Sequence, residues 1–406
     1  MRPSSSVHFL KLLAILFLCR TAVHAEPLVS PTWGFALDLP EGYAFSGGDG
    51  RDRFSFIADF DEPLHFDLVA YKPGRYASVA ELATDVAKRL LSEGDASPFM
   101  YRGKEAVLLE LSFVSPSGPA EGWAICVELP VIGADAGKAP GTKSGHLVAL
   151  AYGVAGTEGY DKFHLSALDS LAPAPADRNE PGPITAFAYP GEGKIQIPVA
   201  GLRETAFIDA SDKEAAKYLV DREFSVLRGY AGTEVWQDAW RRFYRAVRRD
   251  AFPRLAGIAF AVERELSSGP RSAEGAARGA PSGSVSADRE FAEGVLGWTQ
   301  SFAYERDLLG SDFVDLVSAA TEGRGDCDSR ALLAAILLQR ANIDAAIMVS
   351  KEYGHAMLLA DLDGEGARFT FENRKWMVGE TTAKVPFGMI GKNVADPMKW
   401  LGILFE

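Results

Sequence analysis

The stretch Gly325-Asp326-Cys327-Asp328-Ser329-Arg330 places a cysteine directly before a run of strong helix formers. Residues 328–340 are predicted to form this helix, which is apolar on nearly every side from Ala331 to Leu338 and should therefore be buried; Asp328 and Ser329 are typical N-cap residues. Cys327 is therefore expected at the positive end of this helix, where a thiolate is stabilised and the pKa of the thiol falls. A nucleophilic cysteine is typical of such a position.

Two further residues with catalytic chemistry follow at the edges of predicted strands. His355 opens the alternating run 356–360, and Glu380 ends the run 375–378. If these strands are antiparallel neighbours, the carboxylate lies within hydrogen-bond reach of the imidazole. A thiol nucleophile needs a base and a group that orients the base, so Cys327, His355 and Glu380 are the candidate catalytic set. Taken singly, each also fits an ordinary structural role.

These residues belong to separated blocks that occur in a recognisable order. The blocks are Gly325–Arg330, Gly354-His355-Ala356, Trp376–Thr382 and the upstream Gly297–Tyr304. Together they resemble the core of the bacterial transglutaminase-like enzymes, which are related to papain. Over roughly residues 288–391, the resemblance implies a papain-like α+β fold. It also implies a Cys-His-Glu triad that acts on an amide carbonyl through a thioester, without a cofactor. Many members of the family carry Asp where this chain has Glu380.

An oxyanion donor is expected in addition to the backbone N–H of the cysteine. Trp298 and Gln300 are the candidates, because both lie on the predicted helix upstream of the nucleophile. The alternatives are core packing for Trp298 and a helix-surface position for Gln300.

A metal site is not expected, because the histidines and cysteines are widely scattered. The run Asp361-x-Asp363-x-Glu365-Gly366 nearly fits a calcium-binding loop. Its flanks alternate as strands, however, and Asp363-Gly364 favours a β-hairpin turn between them.

The N-terminal residues are typical of export. Residues 1–25 combine positive charge, a short apolar run and a Val-His-Ala end, which predicts a signal peptide cleaved after Ala25. We expect the protein in the periplasm or the medium, with no transmembrane segment. The net charge of −13 argues against nucleic-acid binding. Cys126, in an apolar run, is expected to be a buried free thiol rather than a disulfide partner of Cys327.

The predicted architecture is α+β, with an α/β sandwich domain (26–172) preceding the transglutaminase-like core (288–406). The order of elements in the first domain resembles the PsbP/Mog1-like sandwich, which implies a binding or docking role. A Pro-rich linker (173–183) and a mixed helical region (184–287) lie between them, and the region includes a Gly/Ala/Ser-rich mobile loop (267–286).

A stripe of arginines is predicted on one face of a helix in the mixed region. It either docks an anionic partner or forms a solvated face paired with nearby acids. The stripe comprises Arg241, Arg242, Arg245, Arg248 and Arg249.

Two functions remain open from the sequence. The first is an exported thiol enzyme that cleaves or transfers peptide or isopeptide amides of a protein or cell-wall substrate. The second is an envelope binding or scaffolding protein whose triad residues are idle. The reactivity of Cys327 distinguishes them. The sequence does not indicate the oligomeric state.

Overall fold

The computed structural model describes residues 27–92, 94–130, 144–267, 285–305 and 311–405. The predicted signal peptide (1–25) and most of the predicted mobile loop (267–286) lie outside the described residues. The described chain is a mixed α+β structure with several sheets, as the sequence predicts. No helix among the described residues combines the length and apolar character needed to cross a membrane.

The N-terminal part is organised around a seven-stranded antiparallel sheet in the order β3-β4-β5-β9-β8-β7-β6. Buried and half-buried residues alternate along its central strands, because successive side chains point to opposite faces. The strands are β1 (Leu28–Val29), β2 (Ala36–Leu37), β3 (Tyr43–Gly48), β4 (Arg53–Asp59), β5 (Pro63–Tyr71), β6 (Ala96–Tyr101), β7 (Lys104–Ser115), β8 (Gly118–Leu129) and β9 (Gly145–Val154). The helices are α1 (Val79–Leu90), α2 (Asp161–Asp169) and α3 (Pro183–Ala188).

Each face of this sheet carries a helix. Helix α1 packs Val79 and Leu82 on one face, while α2 packs Leu168 on the other. Ser78 caps the start of α1, since its Oγ accepts the Glu81 backbone N–H at 3.2 Å.

The edge strand of the large sheet is β3, whose residues 43–48 read Tyr-Ala-Phe-Ser-Gly-Gly. It pairs with β4, which also pairs with β5. The short strand β2 pairs with β1, outside the large sheet.

The Pro-rich segment 173–183 is a packed part of the fold. It holds a short 3₁₀ helix (Pro175–Asp177), and Asp177 is buried with its carboxylate 2.9 Å from Lys104 Nζ. Its conformation is therefore fixed by tertiary contacts, unlike that of an extended spacer. The division of the chain into domains at this segment stays a prediction.

The C-terminal part combines a helical layer with a five-stranded sheet in the order β16-β17-β15-β14-β18. Its strands are β10 (Lys194–Pro198), β11 (Thr205–Asp209), β12 (Ala303–Tyr304), β13 (Arg324–Gly325), β14 (Ala345–Ser350), β15 (His355–Ala360), β16 (Arg368–Phe371), β17 (Arg374–Gly379) and β18 (Leu401–Ile403). Its helices are α4 (Asp212–Gly229), α5 (Trp236–Arg254), α6 (Ala256–Ser267), α7 (Val285–Gln300), α8 (Leu316–Glu322) and α9 (Cys327–Arg340). Two 3₁₀ helices (Lys392–Val394 and Pro397–Lys399) precede β18.

Helix α9 lies against one face of the five-stranded sheet. Residues 331–338 are all buried, as the sequence predicts, and pack against Ile347, Val349 and Leu358. The other face of the sheet has its own cluster, which includes Met348, Leu359 and Trp376. The start of α9 is thereby held beside the first residue of β15.

The predicted hairpin at Asp363-Gly364 is wrong. Strand β15 pairs with β17, with Leu358 opposite Gly379, and β16 pairs with the outer edge of β17. The tight turn is at residues 372–373, Glu-Asn, which both have positive φ. Asp361 forms an ion pair with Arg374, at 2.6 Å, instead of serving a calcium loop.

The arginine stripe of α5 is buried or half-buried within the fold and does not form a solvated face. Arg242 is 4 % exposed and pairs with Glu223 at 2.8 Å. Arg245 makes two hydrogen bonds to Asp38, and Arg249 donates to the carbonyls at the end of α2. Asp38 and the carbonyls at the end of α2 belong to the N-terminal part of the chain, whereas Glu223 lies in α4.

Candidate active site

Cys327 is the first residue of α9 and is 1 % exposed. Asp326 caps the helix, because its Oδ1 accepts the Ser329 backbone N–H at 2.8 Å. The backbone N–H of Ala356 donates to Cys327 Sγ. The sulfur therefore lies beside the residue that follows His355 in β15.

The thiol of Cys327 is held by a carboxylate. Its S–H donates to Asp328 Oδ2 at 3.4 Å, and the phenolic O–H of Tyr244 donates to Oδ1 of the same group. Burial raises the pKa of the Cys327 thiol, and the charges of Asp328 and Asp326 raise it further. The predicted lowering of this pKa is wrong, because burial and two adjacent carboxylates outweigh the helix terminus.

His355 and Glu380 are brought together as the strand argument predicts. His355 Nε2 lies 2.8 Å from Glu380 Oε2, because β15 and β17 are antiparallel neighbours. Glu380 Oε1 accepts the Thr382 backbone N–H at 2.7 Å and its hydroxyl at 2.6 Å. Burial raises the pKa of Glu380, but the hydrogen bonds from His355 and Thr382 prevail and lower it below its ordinary value.

This arrangement determines the tautomer of a neutral His355. An ionised Glu380 only accepts hydrogen bonds, so the proton of the ring is on Nε2. Nδ1 is then the nitrogen that can receive a proton from a thiol. The His355 ring also contacts Trp400, with ring centroids 6.1 Å apart.

The two predicted oxyanion donors are engaged elsewhere. Trp298 Nε1 donates to the Ala200 carbonyl at 2.8 Å. Gln300 Nε2 donates to the carbonyls of Glu380 at 2.8 Å and Val385 at 2.7 Å, which uses both of its N–H groups. Neither side chain has an N–H left for an oxyanion. Gln300 instead holds the backbone of Glu380 in place.

Some neighbours of the candidate set could not be found from the sequence. Tyr244 reaches Asp328 from α5, and no local pattern relates positions so far apart. Arg330 is buried and donates to the carbonyls of Gly325 and Phe302, which fixes the turn before the cysteine. The sequence shows that Asp328 follows Cys327, but the size of its effect on the pKa of the thiol depends on burial.

No cluster of three or more His, Cys, Asp or Glu side chains in the described part of the chain could hold a metal ion. Cys126 and Cys327 are both buried free thiols. Burial alone raises the pKa of Cys126, far from any catalytic partner.

Comparisons with known proteins leave the family of the chain open. No protein-family model matches it, and no curated protein does. One similar solved structure is LpqN of Mycobacterium tuberculosis, described as involved in cell envelope biogenesis. It is 11 % identical, with 36 % of this chain and 85 % of that chain covered and a TM-score of 0.24. A protein of Bacteroides thetaiotaomicron is 13 % identical over 55 % of this chain and 78 % of that chain, also with a TM-score of 0.24. Neither likeness is close enough to assign a function.

Proposed function

We propose that the chain is a transglutaminase-like thiol enzyme that cleaves or transfers peptide or isopeptide amides. The observation that carries the proposal is the 2.8 Å hydrogen bond between His355 Nε2 and Glu380 Oε2, beside the helix start that bears Cys327. The imidazole is oriented by a carboxylate, as the base of a thiol enzyme must be.

The raised pKa of Cys327 defines the first step of this mechanism. The thiol is neutral at rest, so His355 Nδ1 removes its proton as Sγ attacks the amide carbon. The tetrahedral oxyanion collapses to a thioester, and the amine leaves with the proton from His355. Water or an amine then attacks the thioester and releases Cys327. Hydrolysis is the default outcome of the proposal, since water is the abundant acceptor.

We further propose that the protein acts outside the cytoplasm, after cleavage near Ala25. The proposal rests on the residue pattern of positions 1–25. A protein, peptide or cell-wall polymer would then be the accessible substrate.

The enzyme proposal is tested with an activated acyl ester, p-nitrophenyl acetate, and peptide mass spectrometry. Acetylation of Cys327 is expected in the wild type and should fall at least about tenfold in E380Q, because the tautomer of His355 is no longer fixed. Cys126 serves as the internal control and should stay unmodified. Equal acetylation of Cys327 in both proteins would contradict the proposal.

The second candidate is a non-catalytic envelope binding protein. The observation that favours it is the 1 % exposure of Cys327, whose S–H is engaged by Asp328. On this reading, the thiol is a buried structural group, and removal of His355 leaves its reactivity unchanged.

A further inference from the structure

A cavity of about 300 Å³ lies at the junction of the N-terminal and C-terminal parts of the chain. Strand β2, the segment after α2, helix α5 and the C-terminal Phe405 contribute to its walls. None of the residues lining it belongs to the Cys327 site. Its volume reaches the lower end of the range of small-molecule sites.

The walls of this cavity carry an excess of positive charge. Four arginines and one carboxylate line it, and the carboxylate, Asp38, is engaged by Arg245. The other three are Arg178, Arg248 and Arg249. Among the described residues, none of these three forms an ion pair with a carboxylate.

The hydrogen bonds of the buried Arg248 and the half-buried Arg249 go to neutral groups. Arg248 is 9 % exposed and donates to Gln339 Oε1 at 3.0 Å and to Asn179 Oδ1. Arg249 donates to backbone carbonyls, and its Nε is buried without a hydrogen-bond partner among the described residues. A buried cation without a counter-charge is costly, even where its neighbours are polar.

The surroundings of Arg248 add to that cost. Burial and the nearby Arg340 lower the pKa of Arg248 to about 10. The guanidinium groups of Arg248 and Arg340 both lie over the ring of Phe252, at 4.2 Å and 4.8 Å from its centroid. The ring face offsets part of the positive charge, but only an anion would supply a full counter-charge.

Apolar side chains also line the cavity. They include Val29, Leu37 and Phe405. A ligand that satisfies both kinds of wall has an anionic head and a short apolar body.

We propose that this cavity binds a small amphiphilic anion, with a carboxylate or phosphate head on Arg178, Arg248 and Arg249 and an apolar body against Val29, Leu37 and Phe405. The exposed guanidinium group of Arg178 matches either head group by paired hydrogen bonds, and Arg248 and Arg249 supply further positive charge. The site is independent of the chemistry at Cys327.

The proposal is tested by isothermal titration calorimetry on the purified full chain. Octanoate and octyl phosphate carry a carboxylate and a phosphate head group, respectively, on apolar chains of similar length. Acetate is the control for the anionic head group without the apolar chain, and octan-1-ol is the control for the apolar chain without the anion. At least one of the two amphiphilic anions should bind at least tenfold more tightly than acetate and octan-1-ol. Its affinity should fall as salt is raised. The tighter of the two identifies the head group.

Substitutions then locate the site. R178Q and R248Q should each weaken binding about tenfold, while R228Q, an exposed arginine outside the cavity, should leave it unchanged. Arg178 is exposed, so R178Q decides the question if R248Q fails to fold. Absence of binding by both amphiphilic anions would overturn the proposal, as would undiminished binding to R178Q.

Discussion

At Cys327, two influences on the thiol oppose each other. The start of α9 favours a thiolate, while burial and the carboxylates of Asp326 and Asp328 favour the neutral form. The second influence prevails, so the residue is a protonated thiol at rest. The nearest contributor is Asp328, whose Oδ2 accepts the S–H.

Replacement of Asp328 by Asn should therefore activate the thiol. The amide removes the negative charge but keeps an oxygen for the O–H of Tyr244, so the pKa of Cys327 falls. A fall of one unit in the pKa raises the thiolate fraction at neutral pH about tenfold. We therefore expect iodoacetamide alkylation of Cys327 to accelerate at least about threefold in D328N. Peptide mass spectrometry measures the rate. The exposed Asp363→Asn is the matched control, and an unchanged or slower rate in D328N alone would contradict this account.

The sequence predicted the contact between His355 and Glu380 but not the protonation state of Cys327. Local blocks place Cys327, His355 and Glu380 at the ends of regular elements. The state of the thiol, by contrast, depends on how deeply Asp328 is buried and on Tyr244, which comes from another helix. The hydrogen bonds of Trp298 and Gln300 likewise depend on tertiary contacts.

Helix α9 is the element that positions the site, and its N-cap residue, Asp326, has an unusually high pKa. Burial, together with the charge of Asp328, raises the pKa of Asp326 to about 7. In the unfolded chain the pKa of an aspartate is about 3.9. The folded state therefore binds more protons than the unfolded state between these two values, and stability falls as pH rises through that window.

Replacement of Asp326 by Asn should remove this pH dependence. Asn is an equally good N-cap, so the hydrogen bond from Ser329 is kept while the titrating group is lost. Between pH 5 and 7, the free energy of unfolding of the wild type should fall more steeply than that of D326N, by up to about 1.4 kcal/mol per pH unit. Urea unfolding at several pH values measures the difference. Parallel profiles for the two proteins would refute the assignment.

The elements that the sequence predicted well are those with a strong local pattern. Helix α9 is the clearest case, because its residues 331–338 are all apolar and all buried. Strand pairing was less predictable, because it is decided by partners distant in sequence. Strand β16 pairs with the outer edge of β17, and the edge strand β3 contains two glycines, which are weak strand formers.

Arg242, a buried arginine of α5, connects the N-terminal and C-terminal parts of the chain. Arg242 donates to Glu223 at 2.8 Å, to the Asp38 carbonyl at 2.7 Å and to Ser166 Oγ at 2.9 Å. These partners belong to different layers, so one side chain links the N-terminal sheet to the helical layer. No sequence pattern distinguishes such a stripe from a solvated one, because the difference lies in what packs against it.

Loss of Arg242 should therefore destabilise the protein strongly. R242M leaves the buried Glu223 with fewer partners, and we expect a loss of about 3 kcal/mol in the free energy of unfolding. R241M removes only the more exposed pair of Arg241 with Asp238, which is worth less than about 1 kcal/mol. Urea denaturation of the two variants gives the comparison. Equal losses would show that the junction does not depend on the buried arginine.

Alkylation tests the claim that Cys327 and His355 work as a pair. The rate of iodoacetamide modification of Cys327 is measured against pH in the wild type, in H355A and in H65A. H65A is the control, because the native His65 ring stacks on Tyr152 and is not part of the candidate catalytic set. If His355 accepts the thiol proton, the wild type and H65A should react near neutral pH at least about tenfold faster than H355A. Equal rates in all three proteins would contradict the claim and identify Cys327 as a structural thiol.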